Sequence, residues 1–331
     1  MNILVAMPAG EVRDSFIPSD VRAQLEELGT VVWNEDGRNW TEDELAAHIA
    51  HIDVCVLGWG CPPVGEKALA HADALRAVLH TGGSVAGYAT EAVYDRHIPV
   101  LSGNELYARS VAESVVAYAL YLLRDIGRYN GELLRDGWSR PGWKNEGLLD
   151  QTVGLIGFGA VARWTARLLS AFGVKLFINA DHVSREEAAS YGARKATIDE
   201  IMSGCKIVSV HLARTPQTYH IIDERRLKLL REGAIFINTA RGSIVDEAAL
   251  ARELATGRFR AALDVYEAEP LPMDSPLRAL PNALLMPHMG GPTMDRRPFV
   301  TRALIEELPR ALAGETSYLT ITRDMMRRMT R

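Results

Sequence analysis

The chain has 331 residues, 47% hydrophobic and 24% charged, with a formal net charge of −5. That length accommodates two domains with separate cores, and the composition is that of an ordinary soluble globular protein. A net negative charge, with no basic run interleaved with aromatics, speaks against nucleic acid and anionic membranes as partners. No window approaches the roughly 18 apolar residues of a membrane span. The opening "MNILVAMPAG" reads as a strand and turn rather than a signal peptide, so a cytoplasmic protein is expected. Three cysteines, Cys55, Cys61 and Cys205, cannot all pair within the chain and read as inert thiols in a reducing compartment. No zinc spacing occurs; His48 and His51 read as a solvated helix face, and no metal site is expected.

In chain order, "NILVA" (2–6), "VVW" (31–33), "VCVLG" (54–58), "RAVLH" (76–80) and "PVLS" (99–102) read as strands. Helical segments such as "SDVRAQLEEL" and "TEDELAAHIA" lie between them. In the second, Thr41 and Glu44 have the spacing of a capping box. Strands and helices alternating at this rate imply a parallel sheet covered on both faces. A single long helix is expected over roughly 105–130, then an irregular segment, "RDGWSRPGWKNEG", packed by its two indoles. The alternation restarts with strands "TVGLIG", "VKLFI", "KIVSVH", "AIFIN", "RAALDV" and "ALLMP". One amphipathic helix, broken or kinked near Pro309, closes the chain from about Thr293. The pattern predicts an α/β protein with two doubly wound, Rossmann-like parallel-sheet domains.

"TVGLIGFGAVARWTARLL" sets Gly157, Gly159 and Ala162 as a G-x-G-x-x-A turn between a strand and a helix. Gly157 permits the tight turn, and Gly159 lets backbone approach a pyrophosphate. Ala162 lets the helix pack closely on the strand. Three later strand ends carry polar groups of complementary chemistry. Arg241 in "INTARGSIVDEAAL" offers an anion clamp. "ALDVYEAEPLP" holds Asp264 and Glu269, and "LLMPHMGGPT" holds His288, a proton carrier, ahead of a glycine pair.

In this order and spacing, "VSVHLARTPQT", "INTARGSIVDE" and "PHMGG", with "NELYARSVAES" and "RDGW" before them, resemble the D-isomer-specific 2-hydroxyacid dehydrogenase family over nearly the whole chain. The resemblance implies a discontinuous substrate domain, residues 1–103 plus 292–331, with the nicotinamide-cofactor domain, 104–291, inserted. It also implies a homodimer, with the long helix and a Trp138–Trp143 arm at the interface. Carried over by position, Arg241 binds the carboxylate and carbonyl oxygens, His288 moves the proton and Glu269 pairs with it. Gly83, Ser84 and Val85 in "HTGGSVAG" match the loop that receives the carboxylate, and Asp264 matches the nicotinamide carboxamide partner. Gly157, Phe158, Gly159, Ala160, Val161, Asp181, Ala213, Thr239, Ala240 and Gly290 fall at cofactor positions. The implied reaction moves a hydride between NAD(P) and a small 2-oxo or 2-hydroxy acid. In the family's formate dehydrogenase branch a Gln stands in the role of Glu269, so formate oxidation is not expected.

Two details bear on ligand choice. The loop after the third strand, "GWGCPPVGE" (58–66), has no Lys or Arg for a phosphate. Its Trp59 reads as an apolar or stacking surface or as core packing under the loop. An unphosphorylated acid is therefore favoured over 3-phosphoglycerate. In "FINADHVS" the ribose-binding acid position falls at Ala180, leaving Asp181 to reach from the next residue. Asp181 would repel a 2′-phosphate, which favours NAD; Arg185 and Arg214 are the residues that would take NADP instead. A reading of another class is an NADH-sensing corepressor-like scaffold, which the family also contains.

Overall fold

The computed structural model describes residues 1–138, 142 and 144–330. The chain divides into two compact units, residues 1–107 with 292–331, and 108–291. The segment that contains Trp143 lies outside the described residues, apart from its ends.

The first unit holds five strands: β1 (Asn2–Pro8), β2 (Thr30–Asn34), β3 (Val54–Leu57), β4 (Ala77–His80) and β5 (Val100–Ser102). They form one sheet in the order β2-β1-β3-β4-β5, and every pairing is parallel. β3 and β4 are buried at every position, as strands covered on both faces must be. Thr41 and Glu44 form the capping box at the start of the helix Glu42–His48. The strand order reverses between β1 and β3, and the chain leaves β3 directly into Gly58 and Trp59. Such a reversal opens a crevice at the carboxyl ends of the strands.

The second unit holds β6 (Thr152–Ile156), β7 (Lys175–Asn179), β8 (Ala193–Lys195), β9 (Ile207–Val210), β10 (Ile235–Asn238), β11 (Arg260–Leu263) and β12 (Ala283–Leu285). Their order is β12-β11-β10-β9-β6-β7-β8, again all parallel. Alternate residues build two separate cores on the two faces. Val153, Leu155, Ile207, Ile235 and Ile237 join one, and Ile156, Val208, Phe236 and Leu263 join the other. The strand order reverses between β6 and β9, beside the glycine turn.

Four features differ from the sequence reading. β8 is a three-residue edge strand, "ARK", with two exposed positions and no apolar run to announce it. The long helix is two helices, Asn104–Arg124 and Ile126–Asp136, parted at Asp125 with φ 54°. No Gly or Pro marks that break. The Leu122 carbonyl accepts from Asp125 N at 3.2 Å in a tightened last turn and also from Arg260 of β11, which lies 3.7 Å from the Asp125 carboxylate, while Glu146 N takes the Leu123 carbonyl at 2.8 Å. At the other end, the helix Arg297–Leu312 runs through Pro309 unbroken, with that residue on its exposed side. The chain then returns to β5, where Ser102 donates to Leu319 and Ile321 to Val100, and ends in a further helix, Arg323–Arg328.

Candidate active site

The glycine turn stands at the end of β6. Gly157 has φ 94°, and a Cβ there would lie 2.8 Å from the His211 carbonyl carbon, so only glycine lets β6 turn against β9. The helix Ala160–Ser170 follows, with Gly159 at its N-cap, no side-chain cap and no acid in its first turn. The backbone N–H groups at Ala160 and Val161 are therefore left for an anion, and a Cβ on Gly159 would meet nothing within 4 Å. Phe158 is buried and can offer only its backbone. Thr239, just beyond β10, has a buried hydroxyl without a partner among the described residues, and Ala240 N donates to Asn238. The Ala213 carbonyl accepts from Thr218. These features fit a dinucleotide, with its pyrophosphate at the helix start. At the far end of β7, Ala180 is buried and Asp181 exposed, and Lys195 Nζ donates to the Val183 carbonyl 2.6 Å away.

The titratable groups sit in the same unit. His288 Nδ1 meets Glu269 Oε2 at 2.6 Å, and Glu269 Oε1 accepts from Tyr266 N at 3.0 Å. Both side chains are partly exposed, 50% and 36%. Nδ1 is thus engaged, and Nε2 is the nitrogen left to face a reactant. His288 itself adopts φ 52°, a left-handed conformation rare for a non-glycine residue and kept where surroundings enforce it. The enforcing group is Asp264, 2% exposed at the end of β11. Its two oxygens accept from Met289 N and Gly290 N, each at 2.8 Å, and Ser114 donates to the Gly290 carbonyl. Burial raises the Asp264 carboxyl above its ordinary value, and those two N–H groups oppose the rise.

Arg241 lies just past β10 in extended backbone. Gly242 follows, where a Cβ would fall 1.9 Å from the Tyr266 carbonyl carbon. That close approach packs the Arg241 turn onto the segment bearing Glu269. Burial, and then the neighbouring Arg214 charge, lower the Arg241 value, while Glu269 acts in the opposite sense. The Glu269 charge acts on both Arg241 and Asp264, and the His288 charge acts on Asp264.

In the first unit, Gly83, Ser84 and Val85 form a loop beyond β4. Gly82 N donates to His80 Nδ1 at 2.6 Å, and Ser102 Oγ donates to the Gly83 carbonyl at 2.7 Å. The N–H groups of Gly83, Ser84 and Val85 meet no acceptor among the described residues, while the Ser84 hydroxyl donates to the Thr330 carbonyl. Trp59 is 42% exposed, and its ring lies edge-on to Phe16 at 5.3 Å and to Tyr107 at 6.3 Å. Sequence reasoning missed His80 and Arg297. Nothing local marks His80 as the anchor of the loop. Arg297 stands 238 positions beyond Trp59, yet its guanidinium lies 5.2 Å from the Trp59 ring.

A doubly wound unit with an uncapped helix after a glycine turn, and an imidazole–carboxylate pair at its strand ends, defines a dinucleotide-binding oxidoreductase fold. A family profile described as "D-isomer specific 2-hydroxyacid dehydrogenase, NAD binding domain" matches residues 116–290, and the chain belongs to that family. It is 32% identical over 295 residues to a D-3-phosphoglycerate dehydrogenase of Methanocaldococcus jannaschii, covering 88% of this chain and 55% of that one. The chain thus spans about half the length of that relative. It is 27% identical over 309 residues to a glyoxylate/hydroxypyruvate reductase B of Serratia proteamaculans, covering 90% of this chain and 93% of that one. A phosphoglycerate oxidoreductase from Rhizobium etli has the same fold. Its TM-score is 0.81 at 22% identity, covering 98% of this chain and 99% of that one.

Proposed function

We propose that the protein is an NAD-dependent dehydrogenase of small D-2-hydroxy acids, with His288 moving the proton, Glu269 holding it and Arg241 binding the acid. The observation that carries this reading is the Glu269–His288 pair at 2.6 Å, locked by the Asp264 clamp on the two residues that follow. When bound, the nicotinamide supplies or accepts the hydride. During reduction of a 2-oxo acid, negative charge develops on the carbonyl oxygen. His288 Nε2 donates a proton there, and the Glu269 carboxylate stabilises the cationic ring before the transfer. Arg241 binds the substrate's carboxylate and carbonyl oxygens through its planar fork of donors. In the first unit, the N–H groups of Gly83, Ser84 and Val85, which meet no acceptor among the described residues, can receive a carboxylate. Asp264, beyond its clamp, keeps lone pairs that can accept from the carboxamide.

NAD is favoured over NADP because Asp181 places a negative charge one residue past Ala180, where a 2′-phosphate would sit. A homodimer is supported by the helix Ile126–Asp136, which buries no residue. Ile126, Leu133 and Leu134 are 49%, 50% and 78% exposed along one side. A cytoplasmic setting is supported by three buried, unpaired cysteines, and no helix among the described residues is long and apolar enough to cross a membrane.

The test is a screen of glyoxylate, pyruvate, hydroxypyruvate, bulkier 2-oxo acids and phosphohydroxypyruvate with NADH and NADPH. His288→Gln is expected to lower turnover by at least roughly 10²-fold while NADH binding survives. Full turnover in that variant removes His288 from the mechanism, and a tenfold preference for NADPH overturns the cofactor choice.

A further inference from the structure

We propose that Arg297, held against Trp59, binds a second anionic group of the substrate, a carboxylate or phosphate at the end away from the reacting carbonyl. The proposal rests on the dehydrogenase reading above and names the class of acid it acts on. Every residue involved belongs to the first unit.

The place is the crevice where the sheet's strand order reverses between β1 and β3, the position at which open α/β sheets bind ligands. Phe16 ends the helix that follows β1, Trp59 follows β3, and the two rings meet edge to face at 5.3 Å. The Arg297 guanidinium lies 5.2 Å from the Trp59 ring and 5.4 Å from Phe16. Its Nη1 donates to Ser15 Oγ at 3.1 Å and its Nε to the Pro292 carbonyl at 3.4 Å. A guanidinium has five N–H donors, so most of its fork is still available.

No carboxylate comes within ion-pair distance of Arg297 among the described residues. Other half-buried or buried arginines of the same unit each have one: Arg13 has Glu35, Arg302 has Asp20 and Arg323 has Asp95. Beside Arg297 stands a second unsatisfied group. The Tyr107 hydroxyl is buried without a partner, near enough for the Arg297 charge to act on it. The Tyr107 ring is edge-on to Trp59 at 6.3 Å and underlies Gly83. The proposed carboxylate loop is adjacent, since a Cβ on Gly82 would come 3.2 Å from Trp59 Nε1.

A purely structural arginine stacked between rings explains the guanidinium's position. It explains neither the missing acid nor the orphaned Tyr107 hydroxyl. An acidic group on the ligand satisfies both, because a carboxylate or phosphate oxygen accepts from the fork and from the phenol together. The loop 58–66 has no Lys or Arg of its own, and Arg297 supplies the cation from elsewhere in the chain.

The experiment compares kcat/KM with NADH for hydroxypyruvate, oxaloacetate and phosphohydroxypyruvate, whose far ends are neutral, carboxylate and phosphate. The full chain, Arg297→Met and Arg297→Lys are measured. We expect the wild type to prefer one of the two anionic acids, and the better of them assigns carboxylate or phosphate. Arg297→Met is expected to lose about 10- to 100-fold on that acid, at least ten times more than on hydroxypyruvate, with Arg297→Lys between. Equal losses on all three acids, or no wild-type preference for an anionic tail, overturn the proposal. Calorimetric titration with malonate and phosphoglycolate, diacids with no ketone or aldehyde carbonyl to reduce, reads the subsite without turnover. If no 2-oxo acid is reduced yet diacid binding still depends on Arg297, the reaction class falls and the subsite stands. If 2-oxo acids are reduced but neither diacid binds more weakly to Arg297→Met, the subsite falls and the reaction class stands.

Discussion

His80 provides a quantitative check on the architecture behind the loop 83–85. The ring is 1% exposed at the end of β4, and its Nδ1 accepts from Gly82 N. The neutral ring therefore carries its proton on Nε2. Burial lowers the imidazole from its ordinary 6.5 to about 4. Below the unfolded value the unfolded chain takes up a proton that the folded chain refuses. The contribution is thus fully present above about pH 6.5 and is lost as pH falls toward the folded value. With about 1.4 kcal/mol per pKa unit, lowering the pH from about 6.5 to 4.5 removes about 2 kcal/mol through His80 alone. His80→Asn keeps an acceptor near the Nδ1 position and cannot titrate. Hydrogen exchange of peptides from β4, under graded urea at several pH values, reads the opening free energy of this unit separately from the other. The substitution shifts the whole curve by its packing cost, but the pH slope is the diagnostic. Wild type should lose about 2 kcal/mol more than His80→Asn over that interval. Parallel curves would refute a neutral buried imidazole and, with it, the anchoring of the loop through Gly82.

Three further outcomes are expected. Glu269→Gln keeps a hydrogen-bonding side chain beside His288 but removes the negative charge that the proposed mechanism places there. Its kcat for 2-oxo acid reduction should fall at least roughly tenfold with KM little changed; an unaltered kcat dismisses the pair's role. Asp264→Asn turns one acceptor of the Met289 and Gly290 N–H groups into a donor, so the His288 turn loses its lock. Turnover should drop about 10- to 100-fold while circular dichroism stays native, and retained turnover contradicts the clamp. Leu134→Glu puts a charge on the apolar stripe of Ile126–Asp136. Sedimentation should show a shift from dimer to monomer, and a wild-type monomer rules out the proposed interface.

Short-range signals were enough for much of the fold. Alternating apolar runs and capping residues located all but one strand, because a buried parallel strand must be continuously apolar and a helix start must satisfy its N–H groups. β8 was the exception, since a polar edge strand needs a partner on only one side. The glycine turn was readable for the same reason: its conformational demand is local, and only particular residues meet it.

What the amino-acid order determined alone was therefore the alternation and the glycine turn, with Arg241, Glu269 and His288 placed at strand ends. Tertiary structure decided where the long helix breaks, at a turn whose carbonyls also accept from Arg260 and Glu146. It decided that Trp59 is partly exposed, that His80 holds the Gly82 N–H ahead of the loop 83–85 and that Arg297 lies against Trp59. Each of these depends on side chains far apart in the chain. Their encounter is fixed by packing rather than by propensity, and no window of neighbouring residues contains it.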